Sequence, residues 1–205
     1  MEILKKTAIL LLLIFPVTVS AQNGNLLQQA FTKSYAYETA GKYDSAIVLI
    51  KGAYKADSYP CNLRLGWLYY LAGKQTESVS HYRVAAQLMP AAVEPLWGLV
   101  NPLAALEKWT DVEKNYAAIL QLDPKNATAN YRLGLIFYYR KDYVTAKKYF
   151  DVSLNLYPFD YDSVLMSAWT NYFLGKTSEA RALFSNALLL KPGDSSAAEG
   201  LSLIK

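Results

Sequence analysis

Apolar residues recur at helical spacing along most of the chain. Leu133, Phe137 and Tyr138 fall on one face of a predicted helix, and Tyr149 and Phe150 fall on one face of the next. Short runs of turn-forming residues interrupt this pattern at regular intervals. The pattern predicts pairs of α-helices, each about a dozen residues long, joined by short turns.

The interruptions share one period. Prolines recur every 34 residues, at Pro90, Pro124, Pro158 and Pro192. A second series of turn positions is spaced by 32, 34, 34 and 34 residues, at Gly41, Gly73, Glu107, Lys141 and Gly175. Glycine ends a first helix because it accepts the left-handed conformation, and proline ends a second helix because it cannot donate the next hydrogen bond. Two series with one period predict an internal repeat.

These marks divide the chain into five helix pairs and a closing helix. Small residues in the first helix of a pair, such as Gly66, Gly134 and Ala168, allow the second helix to approach closely. The predicted units are 27–58, 59–92, 93–126, 127–160 and 161–194, followed by a short closing helix over 195–205.

The repeat resembles the tetratricopeptide repeat (TPR), and the fourth unit does so most closely. Its matching residues are Asn130, Leu133, Gly134, Phe137, Tyr143, Ala146, Phe150 and Pro158. The resemblance covers residues 22–205 and implies an all-α fold, a right-handed α-α superhelix (TPR solenoid) of about five helix pairs plus a C-terminal closing helix. Such a fold implies a concave binding surface rather than a catalytic pocket.

The third unit departs most from the repeat. Val100 stands where a small residue is usual, and Pro102 falls inside the first helix. A second register would instead place Trp97 and Gly98 at the close approach. Both registers remain open from the sequence.

The amino terminus predicts export. A basic start, an apolar run over 8–15, and small residues at Val19 and Ala21 are typical of a secretory signal peptide over 1–21. The alternative is an uncleaved anchor, but the run is shorter than the about 20 residues that cross a bilayer. The segment resembles signal peptides of Gram-negative envelope proteins. We therefore expect cleavage after Ala21, a secreted or periplasmic protein and no membrane span in the mature chain.

Composition narrows the function classes. Lys plus Arg number 21 and Asp plus Glu 17, a net charge of +4, which does not suggest a nucleic-acid partner. Hydrophobic residues make up 53% and charged residues 19%, which excludes disorder over most of the chain. The chain has 17 tyrosines, an unusually large share, so tyrosine side chains are expected on most helix faces.

Candidate chemistry is sparse. Cys61 and His81 are the single residues of their types, so neither an internal disulfide nor a Cys/His metal site is expected. The Gly-Lys-Thr run at 175–177 lacks the earlier glycine of a phosphate-binding loop. Asp160 and Asp162 precede a helix, where carboxylates cap free amides. We predict no catalytic residue, no metal and no cofactor.

The resemblance implies a groove lined by places 2, 5, 9 and 12 of each first helix. The predicted partner-binding residues are Phe31, Tyr35, Trp67, Tyr70, Trp97, Asn101, Tyr131, Tyr138, Trp169 and Tyr172. Tyrosine and tryptophan are enriched in binding hot spots. The competing interpretation is that these rings pack between helices as core.

Two functions remain open from the sequence. The first is a non-enzymatic protein–protein interaction scaffold of the cell envelope that binds a protein or peptide segment. The alternative is a carbohydrate-binding module for cell-wall glycan, since aromatic rows also stack on sugars. Phe31, Tyr35 and Arg64 stand where chaperone-binding relatives carry a carboxylate clamp, so that clamp is not expected. The oligomeric state and the partner's identity stay open.

Overall fold

The computed structural model describes residues 15–204, with side chains from residue 26 onward. Within this range the chain forms eleven α-helices and no strand: α1 Phe15–Thr39, α2 Tyr43–Gly52, α3 Tyr59–Leu71, α4 Gln75–Leu88, α5 Glu94–Ala105, α6 Trp109–Leu122, α7 Ala127–Tyr139, α8 Tyr143–Leu156, α9 Tyr161–Phe173, α10 Thr177–Leu190 and α11 Ser195–Leu203. The all-α prediction, with five helix pairs and a closing helix, is confirmed.

The predicted signal peptide falls mostly on residues 1–14, which lie outside the described residues. None of the described helices is long and apolar enough to span a membrane. Cleavage and export therefore stay predictions.

The helices group into two compact units. The N-terminal unit ends at Pro90 and contains α1–α4, and the C-terminal unit begins at Ala91 and contains α5–α11. Within each unit the two helices of a pair pack against each other, and the second helix packs against the first helix of the following pair. The closing helix α11 packs on α10 and α9.

Each first helix ends in a left-handed turn. The turn residues are Gly41, Gly73, Glu107, Lys141 and Gly175, with φ values of 70°, 73°, 56°, 63° and 72°. Three are glycine, which adopts this conformation at little cost, whereas Glu107 and Lys141 adopt it with a Cβ present. The predicted turn positions therefore have one backbone conformation.

We expect Gly175→Ala to lower the free energy of unfolding by about 1 kcal/mol, because alanine is disfavoured at positive φ. No neighbouring atom obstructs the added Cβ, so the effect isolates backbone strain. Lys141→Gly is the matched reverse change and should be neutral or stabilising. Urea denaturation of both variants measures the effect, and a stabilised Gly175→Ala protein would contradict it.

Side-chain caps begin several first helices. Ser58, Asn126 and Asp160 accept hydrogen bonds from the amides of residues three places later, with Asp160 Oδ2 2.9 Å from the Ser163 amide nitrogen. Such caps satisfy amides that have no partner inside the helix. The predicted capping role of Asp160 is confirmed.

The cores of the second and fourth pairs depend on a close approach of a ring to a glycine. A Cβ on Gly134 would lie 2.6 Å from a ring carbon of Phe150, and one on Gly66 would lie 2.8 Å from the ring of Tyr82. Phe150 is fully buried. The large side chain of the second helix therefore occupies the space that glycine leaves on the first.

The buried positions of helix α5 keep the 34-residue period, although the helix contains Pro102. Pro95, Leu99 and Leu103 are buried, and each lies 34 residues after a buried residue of α3. Pro102 lies inside α5 and is also buried. These burial positions favour the regular register over the one that uses Trp97 and Gly98.

The cap of α11 predicts a pH dependence of stability. The Asp194 carboxylate accepts hydrogen bonds from the Tyr161 hydroxyl and from the Ala197 amide, and its Oδ2 lies 3.1 Å from Lys191 Nζ. Together these interactions lower the Asp194 pKa to about 2. An unfolded aspartate has a pKa of about 3.9, so this stabilisation is present above pH 4 and is lost as the pH falls toward 2. Asp194→Asn should lower the melting temperature near pH 6 but not near pH 2. An equal difference at both values would refute this assignment.

Candidate functional site

The N-terminal unit contains a buried ion pair that contacts two exposed aromatic rings. Arg64 has a side chain only 5% exposed, forms an ion pair with Glu38, and donates from Nε to Ser34 Oγ at 3.0 Å. Its guanidinium carbon lies 3.8 Å from the centroid of the Tyr35 ring, a cation–π contact. Tyr35 itself is 55% exposed. The Arg64 guanidinium therefore packs against one face of the exposed Tyr35 ring.

Trp67 completes this arrangement. Its indole Nε1 donates to Glu38 Oε1 at 2.7 Å, and its ring centroid lies 5.7 Å from that of Tyr70. Trp67 is 38% exposed, whereas Tyr70 is half-buried. Phe31 packs against the buried core cluster of this unit. Of the four predicted residues here, Tyr35 and Trp67 offer surface to a ligand.

The C-terminal unit contains a cleft of about 680 Å³ between α5, α6 and α7, called here the central cleft. Residues that define it are Trp97, Asn101, Trp109, Arg132, Leu135 and Tyr139. Trp97 is half-buried, with its ring 5.9 Å from that of Tyr116, and Asn101 is exposed. The two predicted residues of the third unit therefore line one cavity with apolar walls and a polar amide.

Two exposed rings line this cleft. Trp109 is 58% exposed and Tyr139 is 76% exposed. The residues 34 places later, Tyr143 and Phe173, instead stack with centroids 4.7 Å apart and an angle of 11° between planes. In the described part of the chain no ring contact joins Trp109 to Tyr139. The cleft is open where the next repeat is closed by a ring stack.

The central cleft is cationic. Arg132 and Arg140 line it, and none of its described lining residues is acidic. Arg140 pairs with Glu113 at 2.6 Å. Arg132 is exposed and, among the described residues, has no ion-pair partner. One cationic group therefore remains available to an anionic ligand.

A second cavity of about 580 Å³, the terminal cleft, lies between α7, α9 and α11. It is lined by rings together with one carboxylate: Tyr138, Tyr139, Trp169, Tyr172, Phe173 and Glu199. Trp169 also packs 5.0 Å from Phe184 in the core and donates to Ser196 Oγ at 2.9 Å. Tyr139 lines both clefts, so the two cavities adjoin at this residue.

Tyr131 lies elsewhere, in a polar hollow with Asp160 and Asp162. Burial is the main cause that raises its pKa to about 12, and burial raises the pKa of Tyr138 to about 12 as well. Both phenols therefore stay neutral at physiological pH and keep a hydrogen to donate. The Tyr131 ring contacts Phe150 at 5.7 Å, so part of it belongs to the core.

The predicted groove residues thus fall into separate places. The structure brings Trp97 and Asn101 together, and separately Tyr138, Trp169 and Tyr172. Sequence reasoning missed the residues Trp109, Arg132, Tyr139, Arg140 and Phe173. Tyr139 and Phe173 share one place in the repeat, immediately after place 12, and that shared aromatic character is the signal that would have pointed to them.

His81 belongs to a packing network. Its Nδ1 lies 2.9 Å from Asn62 Oδ1, to which Tyr54 also donates, and its ring stacks on Tyr69 at 5.3 Å. Burial, and then the charge of Lys51, lower the His81 pKa below its usual value. The imidazole is therefore neutral at pH 7 and holds α3 and α4 together.

Cys61 is fully buried in the core of the N-terminal unit, as a packing residue would be. Among the described residues no group of three or more histidine, cysteine, aspartate or glutamate side chains is placed to hold a metal ion.

Comparison with known proteins identifies the repeat. A family model described as tetratricopeptide repeat matches residues 99–161. We call this stretch the TPR-matching segment. It extends from α5 to the start of α9 and includes Trp109, Arg132 and Tyr139 of the central cleft.

Solved structures, one of them described as a tetratricopeptide repeat protein, share the fold over most of the chain. A crystal structure of a tetratricopeptide repeat protein from Parabacteroides merdae ATCC 43184 aligns with a TM-score of 0.73 at 21% identity, over 87% of this chain and 72% of that one. A crystal structure of MamA protein aligns at 0.69 and 19% identity, over 82% and 93%. A structure of MamA AMB-1 aligns at 0.68 and 21%, over 86% and 95%. No curated protein matches the chain by sequence.

Proposed function

We propose that the chain is a non-enzymatic protein–protein interaction scaffold of the cell envelope that binds a partner segment in aromatic grooves. The observation that carries this proposal is the central cleft, an open cavity of about 680 Å³ with exposed rings at Trp109 and Tyr139. Large exposed rings in a cavity supply contact area with little loss of side-chain entropy.

The cleft chemistry favours a polypeptide. Leu135 and Val112 provide apolar walls, Asn101 offers an amide that can both donate and accept, and Arg132 offers a charge. An extended peptide presents the matching groups, namely apolar side chains, backbone carbonyls and charged side chains. The TPR-matching segment contains all four of these residues, and tetratricopeptide repeats form binding surfaces from stacked helices.

The test is capture from envelope extract with the purified full chain and its variants. The wild-type chain should retain a protein that protease treatment of the extract removes. Tyr139→Ala should reduce retention, whereas Phe159→Ala, which removes an exposed ring outside both clefts, should not. Equal retention by Tyr139→Ala would overturn the cleft assignment.

The envelope location rests on the signal peptide predicted over residues 1–21. Mass spectrometry of the exported product should find an amino terminus at Gln22. An intact Met1 terminus in the membrane fraction would contradict cleavage.

Carbohydrate binding is the second candidate, and one observation in the N-terminal unit favours it. Tyr35 and Trp67 are 55% and 38% exposed, and the ion pair of Arg64 with Glu38 holds both rings in place, an arrangement in which the rings can stack on a sugar ring. Binding of soluble cell-wall oligosaccharides that Trp67→Ala abolishes would support this candidate. No binding by the wild-type chain would exclude it.

A further inference from the structure

We propose that the central cleft selects a polypeptide segment that places an acidic side chain next to a bulky apolar or aromatic one. The apolar side chain enters between Trp109 and Tyr139, and the carboxylate pairs with Arg132. This inference rests on the proposed function and deepens it by naming the chemistry of the partner.

The first step is the contrast between adjacent repeats. Tyr143 and Phe173 stack face to face and leave no room between their rings. Trp109 and Tyr139 occupy the corresponding places one repeat earlier, yet both remain more than half exposed and line the cavity. A ligand side chain that contacts both would supply the apolar contact that the chain itself supplies in the next repeat. Burying such rings is favourable in proportion to the apolar area covered.

The second step is charge. The central cleft carries two arginines and, among its described lining residues, no carboxylate. The Glu113 carboxylate forms an ion pair with Arg140. Arg132 is therefore the arginine of this cleft that can bind an acidic side chain of the ligand. Arg132 also lines the polar hollow, together with Asp123, Asp160 and Asp162, but none of these carboxylates forms an ion pair with it among the described residues. A guanidinium can bind a carboxylate through two parallel hydrogen bonds.

The third step concerns direction. The terminal cleft, which adjoins at Tyr139, has Glu199 in its lining and no basic residue among those described. A segment that spans both clefts would therefore place its acid over the central cleft and not over the terminal one, because the reverse orientation would set like charges together. The two charges therefore decide which cleft receives the acidic side chain.

The experiment is selection of a random twelve-residue peptide library on the immobilised full chain. We expect enriched peptides to share an aspartate or glutamate within about two residues of a bulky apolar residue, which matches a cavity of this size. One enriched peptide, labelled with fluorescein, then serves as the probe. Its dissociation constant should rise about five- to tenfold for Arg132→Gln, since a single charged pair contributes about 1 kcal/mol or slightly more.

Controls separate the two parts of the site. Lys148→Gln removes the same charge from the exposed surface of α8 and should leave the dissociation constant unchanged. Trp109→Ala should weaken binding at least tenfold, as loss of a hot-spot ring does, with the melting temperature unchanged because the ring is exposed. A higher salt concentration should weaken the binding of acidic peptides more for the wild-type chain than for Arg132→Gln.

Each outcome decides the matter. Enrichment of peptides without acidic residues, or equal affinity in Arg132→Gln, would overturn the charge selection while leaving peptide binding intact. Unchanged affinity in Trp109→Ala would overturn the position of the apolar side chain. Failure to enrich any peptide would overturn this inference, and binding of cell-wall oligosaccharide in that case would overturn the proposed function as well.

Discussion

Glu38→Ala is expected to lower the free energy of unfolding by about 3 kcal/mol, because it leaves the Arg64 charge buried without its partner. The Arg64 side chain is 5% exposed, and its Nη2 has no hydrogen-bond partner among the described residues. The same change removes the acceptor of the Trp67 indole. Urea denaturation followed by circular dichroism measures the loss.

A double-mutant cycle provides the control for this pair. Arg64→Met combined with Glu38→Ala should be more stable than Glu38→Ala alone, since no uncompensated charge then remains in the core. Additive losses in the double variant would show that the two side chains do not interact.

Gly134→Leu should lower the free energy of unfolding by about 3 kcal/mol, because the new side chain must displace a buried ring. A Cβ alone would lie 2.6 Å from a ring carbon of Phe150. Because Phe150 is fully buried, its ring cannot turn aside into solvent. Gly52→Leu is the matched control: it lies at the end of a helix, and no atom obstructs its Cβ. Thermal unfolding of the two variants compares the effects.

A second variant shows whether the clash is the cause. Phe150→Leu removes the ring, so Gly134→Leu in that background should cost less than in the wild-type chain. An equal cost in both backgrounds would place the effect in the helix backbone instead.

The helix pairs could be predicted from the sequence because their boundaries depend on local backbone chemistry. Gly41, Gly73 and Gly175 follow the last turn of a helix with positive φ, a conformation that few other residues accept at low cost. Glu107 and Lys141 carry no such local signal. Their turns are predictable only from the 34-residue period, which shows that repetition supplies what the individual residue does not.

The candidate site was less predictable because it depends on which rings pack together. The frame selected Trp97 and Asn101, which line the central cleft, but it also selected Phe31, which packs against the core of the N-terminal unit. It omitted Tyr139, whose place in the repeat holds a stacked ring one unit later. Whether an aromatic residue faces a partner or a cavity depends on its neighbours in space, and periodicity does not encode them.

The near-neighbour packing of the helices has a consequence for how quickly the chain folds. Within each unit the principal contacts join helices that are adjacent or next but one along the chain. Chains dominated by such local contacts close only short loops on the way to the native state, and comparable helical proteins fold in microseconds to milliseconds. Folding can therefore begin at any pair and propagate along the chain, because each neighbouring pair supplies the surface on which the next one buries its apolar face.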